Sequence, residues 1–153
     1  MPEALLSVIW APAKMVDKTL IIRKIVLISK DCEALKSLAQ LSYEDYVAEP
    51  TNEVLAERYL ERMIGRMIDI NYHLITEKGH PPPPDYFQSF LKLAEIKILP
   101  FDLVQQIAPC AGLRNRIVHE YDEIDTKKVY EGLQAAMRDI PLYLNYISKF
   151  IEE

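Results

Sequence analysis

Apolar residues recur along this chain in steps of three and four. Ile21, Ile25, Ile28, Cys32, Leu35 and Ala39 follow that spacing, which lines them up along one stripe of an α-helix. Asp17, just upstream, can accept a bond from a first-turn amide and cap the helix. It is expected to run to about Leu41, where SYEDYVAEP and Pro50 stop it. A second stripe, Leu55, Tyr59, Met63, Met67 and Ile70, predicts a helix capped by Asn52 and ending near Gly79.

HPPPP at residues 80–84 cannot be helical, because each proline lacks an amide donor and restricts the residue before it. A stiff connector is expected there. A third, shorter helix is predicted from about Asp85 to about Glu95, with a helical turn after Pro100. A fourth begins near Pro109 or is kinked there. Asp125 caps a fifth, which carries Val129, Leu133, Ala136, Met137 and Ile140 on one side; Gly132 weakens it slightly. Pro141 should bend this helix before Leu144, Ile147 and Phe150 continue the stripe. The expected fold is all-α, an up-and-down bundle of four to five helices.

Composition narrows the class. A chain of 153 residues, half of them hydrophobic and 27% charged, suits one globular domain. Residues 1–15, MPEALLSVIWAPAKM, read as an N-terminal arm, and residues 16–153 as the helical domain. The apolar run from Ala4 to Trp10 has no basic residue before it, which makes a poor secretory signal, and no segment approaches the roughly 20 apolar residues of a membrane span. Two cysteines, Cys32 and Cys110, stand far apart in no metal-type spacing, so reduced thiols in a cytoplasmic setting are expected. A net charge of -5 argues against a protein that coats nucleic acid by bulk charge. Nucleic-acid chemistry would need cations gathered locally, from Arg114 and Arg116 with Arg58, Arg62 or Arg66.

The densest chemistry lies in LRNRIVHEYDEID, residues 113–125. Asn115 and His119 are four apart and share a helix face, whereas Arg114 and His119 diverge by roughly 140° around the axis. Two copies of the helix facing each other across a two-fold axis would set both residue types around one cleft. The residue types suit phosphodiester cleavage. His119 can move a proton at a ribose 2′-hydroxyl or a leaving oxygen, and Arg114 can stabilise charge on a pentacoordinate phosphorus. Asn115 can orient the imidazole or bond a phosphate. A 2′-hydroxyl nucleophile requires no ion, and no cofactor is called for. The plainer reading is a solvated helix in which Arg116 and Glu120 form an i,i+4 surface pair.

The pattern R-N-x-x-x-H-x-Y, met by Arg114, Asn115, His119 and Tyr121 and followed by Asp125, resembles the signature of the HepT-like branch of HEPN ribonuclease toxins. SYEDY, RYLERMIGRMIDINYHLI and ILPFDLVQQIAPCAGLRNRIVHEYDEID are similar to that family in order and spacing. The likeness covers about Val16 to Phe150. It implies a homodimeric toxin of a toxin–antitoxin pair that cleaves RNA without metal, with Arg114 and His119 catalytic and Asn115 in support. It also implies that Tyr121 is the tyrosine modified with AMP by a minimal nucleotidyltransferase antitoxin of the MntA type. A bulky anionic group there would occupy the cleft and compete for Arg114.

Two further residues are expected near the site. Asp69 and Arg116 are candidate supporting groups; Asp69 and His73 share a helix face, where a surface or interhelical hydrogen bond is the simpler role for either. Glu77 and His80 have the Glu-x-x-His spacing of carboxylate-bridged metal bundles, but Gly79 and the prolines break the helix there. The competing function is a non-catalytic HEPN module that binds a nucleotidyltransferase or nucleotides. Such a module has no need of both Arg114 and His119.

Overall fold

The computed structural model describes residues 16–153, so the expected arm at residues 1–15 lies outside the described residues. Those described fold into helices alone: α1 (Lys18–Ala39), α2 (Tyr43–Ala48), α3 (Pro50–Glu77), α4 (Tyr86–Glu95), α5 (Phe101–Ile107), α6 (Cys110–His119) and α7 (Thr126–Glu152). The all-α bundle is as expected. Three long helices, α1, α3 and α7, form its frame, and the four short ones close its sides.

Most boundaries have a local cause. Asp17, Asp85 and Asp125 each accept a first-turn amide, at 3.0, 2.7 and 2.9 Å. The start of α3 differs from expectation. Pro50 occupies its first turn, where a missing amide costs nothing, and Glu49 precedes it without a side-chain cap. Asn52 instead donates to the Tyr46 carbonyl at 3.1 Å, closing the corner between α2 and α3. SYEDY does not merely end α1; Ser42 accepts from Asp45 and starts the short α2. α3 ends in a paired-bond cap, with Gly79 donating to Thr76 and His80 to Ile75. Gly79 takes φ 87° there, a conformation that favours glycine. α7 continues through Pro141 as one element.

α3 is the central helix and packs against α1, α2, α4, α6 and α7. Leu60, Met63, Ile64, Met67, Ile70 and Leu74 are all essentially removed from water along it. Each such side chain contributes about 1.5–3 kcal/mol relative to exposure. Interhelical hydrogen bonds fix the register of this packing. Tyr130 and Gln134 of α7 donate at 2.6 Å to the carbonyls of Leu41 and Ala39, groups that the end of α1 leaves without helical partners. His73 Nε2 accepts the Asp17 amide at 3.1 Å, which ties the start of α1 to α3. That is the interhelical bond the sequence suggested for His73. No helix among the described residues is long and apolar enough to cross a membrane.

Candidate active site

α6 follows α5 almost directly. Pro109 cannot donate an amide, so the chain breaks step there and restarts as α6 at Cys110. Leu113 and Ile117 bury one side of α6 against the bundle. That anchorage decides where the neighbouring polar residues go. Arg114 is half-buried on the flank towards α3 and α4, whereas Asn115, Arg116 and His119 are exposed.

The helix ends at His119, so Glu120 and Tyr121 do not belong to it, contrary to the even helical run expected. They stand in a turn closed by the Glu123 amide on the Glu120 carbonyl, which delivers the chain to the Asp125 cap of α7. Tyr121 is 68% exposed in that turn, two residues beyond His119.

Arg114 forms one wall of a groove of about 420 Å³ between α3, α4 and α6. Arg62 and Arg66 of α3 line the same groove, as do Asp69, Tyr72 and Tyr86. Gathering local cations in an acidic chain required such a cluster. Arg62 and Arg66 supply it, while Arg58 and Arg116 do not line the groove. Arg58 lies outward and pairs with the rim residue Glu61 at 3.6 Å. Arg116 turns to the opposite flank, beside Glu120 and Lys128, and makes no ion pair with Glu120. The surface pair read from the i,i+4 spacing is therefore not formed.

The cations differ in what they hold. Arg62 Nη2 and Arg66 Nη1 both donate at 2.8 Å to Asp31, a carboxylate of α1 that is only 3% exposed. Asp69 takes Lys24 at 3.1 Å. Counting these pairs, the groove and its rim bring five cations, Lys24, Arg58, Arg62, Arg66 and Arg114, against the carboxylates of Asp31, Glu61 and Asp69. Arg114 is the exception among the groove's arginines, because no carboxylate among the described residues pairs with it. Its guanidinium lies over the Tyr86 ring instead, 5.3 Å from the centroid. An always-charged fork whose donors are uncommitted among the described residues suits a phosphate.

The groove's second aromatic, Tyr72, meets Tyr86 edge to face at 6.2 Å and donates its hydroxyl to the Pro83 carbonyl at 3.1 Å. Burial pushes its hydroxyl above the usual range, with Tyr86 and Asp85 adding to the shift. Asp69, one of the expected supporting residues, therefore shares the groove with Arg114, and Arg116, the other, does not. Asn115, His119 and Tyr121 do not line the groove either. A single chain thus does not gather Arg114 and His119 into one pocket, as their angular separation on the helix dictates.

Sequence reasoning missed Asp31, Tyr72 and Tyr86. Asp31 left a signal: an acid three residues after Ile28 and four before Leu35 sits on the apolar stripe itself, where a carboxylate needs a partner. Tyr86 left none, because its contact with Arg114 exists only once α4 and α6 are packed.

Comparison with known proteins agrees with this architecture. The family described as ribonuclease HepT-like matches residues 28–147. The tRNA nuclease HepT of Aphanizomenon flos-aquae is 32% identical over 136 residues, covering 89% of this chain and 92% of that protein. In fold, the chain is similar to the cytosolic protein YutE of Bacillus subtilis, with a TM-score of 0.78 at 16% identity over 91% of this chain and 93% of that one. It is likewise similar to a tri-AMPylated HEPN toxin of Shewanella oneidensis in complex with an MNT antitoxin, with a TM-score of 0.75 at 23% identity over 85% and 97% of the two chains. The family match and the 32% identical relative settle kinship: the chain belongs to the HepT-like ribonucleases.

Proposed function

We propose that this ribonuclease is the toxin half of a toxin–antitoxin pair, acting in the cytoplasm as a homodimeric, metal-independent endoribonuclease. Arg114 and His119 from two protomers form its catalytic centre, with Asn115 in support. The observation that carries the reading is the Arg114 guanidinium, without a carboxylate partner among the described residues, on the wall of a cationic groove. It stands five positions before an exposed histidine on a helix whose other side is locked into the core.

In the proposed reaction, His119 takes the proton of a ribose 2′-hydroxyl, whose oxygen attacks the adjacent phosphorus. Arg114 stabilises the charge on the pentacoordinate phosphorus. The P–O5′ bond breaks and the 5′-oxygen takes a proton from solvent, to which His119 returns the one it gained, giving a 2′,3′-cyclic phosphate and a 5′-hydroxyl end. The second protomer brings the group that its partner's α6 cannot present to the same phosphate. Asp69 supports the groove through Lys24, and Arg116 adds positive charge on the opposite flank.

A minimal nucleotidyltransferase antitoxin of the MntA type is the proposed partner, and Tyr121 its target. The AMP-bearing fold neighbour and the exposure of Tyr121 beside His119 both favour this. AMP on Tyr121 would place a phosphate where RNA has to approach and would draw Arg114 towards it.

Cleavage of purified tRNA, the substrate class named for the curated relative, tests the reading. With EDTA present, wild type is expected to cut, while Arg114→Ala and His119→Ala lose at least about a hundredfold with the fold retained. Equal cleavage by all three removes the catalytic assignment of Arg114 and His119, and no cleavage by wild type favours the non-catalytic module. Incubation with the partner enzyme and ATP is expected to add AMP mass to wild type and none to Tyr121→Phe.

A further inference from the structure

The proline connector and the aromatic pair have no role in the account so far, yet they converge on Arg114. We propose that Tyr86 is a positioning residue whose ring holds the Arg114 guanidinium in its working orientation without neutralising it. The inference rests on the catalytic reading of Arg114 given above.

The contact itself is specific. The guanidinium carbon stands 5.3 Å from the centre of the Tyr86 ring, and Arg114 Nε is buried with no hydrogen-bond acceptor among the described residues. The negative face of the ring is what attracts the cation at this place. Arg62 and Arg66 show the alternative: each commits a terminal nitrogen to Asp31 at 2.8 Å. Arg62, whose guanidinium carbon stands 5.2 Å from the Tyr59 centroid, combines a ring face with a carboxylate that neutralises it. An aromatic face restrains a guanidinium from above and leaves the in-plane N–H groups for phosphate oxygens.

The ring is held in turn from three directions. Asp85 caps α4 through the Gln88 amide at 2.7 Å, which fixes the first turn where Tyr86 sits. Tyr72 braces the ring edge and bonds the last part of the connector at the Pro83 carbonyl. The prolines at residues 81–84 limit how that segment can move. The third support is a buried relay. The Tyr143 hydroxyl donates to Asn71 Oδ1 at 2.5 Å, Asn71 Nδ2 donates to Ser89 Oγ at 3.1 Å, and Ser89 Oγ donates to the Tyr86 carbonyl at 2.6 Å. Tyr143, Asn71 and Ser89 are completely buried, so the relay carries the rigidity of α7 and α3 to the start of α4.

Steady-state cleavage of purified tRNA by wild type, Tyr86→Leu, Tyr86→Gln and Tyr86→Phe tests this. Tyr86 is 38% exposed at a helix start, so the core tolerates its truncation. Both non-aromatic variants are expected to lose at least tenfold in kcat, with KM within about twofold of wild type and the thermal midpoint little changed. Tyr86→Phe, which keeps the ring face, is expected to restore kcat to within about twofold. Unchanged kcat in Tyr86→Leu and Tyr86→Gln overturns the proposal. So does a rise in KM at constant kcat, the signature of a ring that stacks on RNA directly, and so does a failure of Tyr86→Phe to rescue. An active Arg114→Ala sinks the reading of the site itself; an inactive Arg114→Ala beside a fully active Tyr86→Leu sinks only this inference.

Discussion

Gly132 of α7 exists where Leu113 of α6 needs the room: a Cβ at Gly132 would collide with Leu113 Cδ2. Sequence reading treated this glycine as a small weakness in its helix. The structure shows it as the seat for the side chain next to Arg114, setting how deeply α6 packs. Gly132→Ala gains about 1 kcal/mol of helix propensity but incurs about 1–3 kcal/mol of overpacking. A cavity of about 170 Å³ beside the contact lets Leu113 swing partly aside, which holds the penalty to about 2 kcal/mol, the middle of that range. Chemical denaturation should find Gly132→Ala less stable by about 1 kcal/mol. The double variant with Leu113→Ala should be more stable than the two separate losses predict, since the clash then has no second party. Strict additivity would show that the two residues do not meet.

Asp31 concerns stability in the same groove. Its carboxylate is buried and shared by Arg62 and Arg66, whose side chains keep 38% and 23% of their exposure. Removing one partner of a buried pair costs roughly 3–5 kcal/mol, and water access to both arginines lowers that. Asp31→Asn, of nearly the same shape, is expected to lose about 2–3 kcal/mol in urea unfolding. A loss below about 0.5 kcal/mol would mean that the carboxylate is a bystander.

The thiols carry a pH signature. Burial, followed by the charges of Asp31 and Glu33, pushes Cys32 up to about 11, and burial with Asp139 pushes Cys110 well above the ordinary range. Thiolate is the reactive form, so raising the pKa removes reactivity at a given pH. At pH 8 an ordinary thiol is about one-quarter ionised, but Cys32 only about one part in a thousand. Iodoacetamide should therefore label native Cys32 hundreds of times more slowly than the unfolded chain at pH 8, with the native rate climbing until pH passes about 11. Rapid native labelling at pH 8 would contradict the burial.

How much of this was visible before folding follows from the range of each interaction. The long helices were legible because α1, α3 and α7 repeat apolar residues at helical spacing, and Asp17, Asp85 and Asp125 cap within three residues of themselves. Asn52 misled because its side chain answers to Tyr46 across a corner, while Pro50 starts the helix. The motif singled out Arg114, His119 and Tyr121 as candidates. It did not show their differing environments. Tyr121 leaves the helix because the chain must reach the Asp125 cap, and the cationic groove depends on Asp31 meeting Arg62 and Arg66 from 31 and 35 residues away.

Subunit complementation tests the composite centre most directly. Arg114→Ala and His119→Ala chains with different tags, co-expressed and purified through both tags, give a dimer holding one intact arginine and one intact histidine on opposite chains. The account predicts that each mutant homodimer is inactive on tRNA and that the mixed dimer regains readily measured, EDTA-resistant cleavage. A mixed dimer as inactive as its parents, or chains that never co-purify, would contradict it.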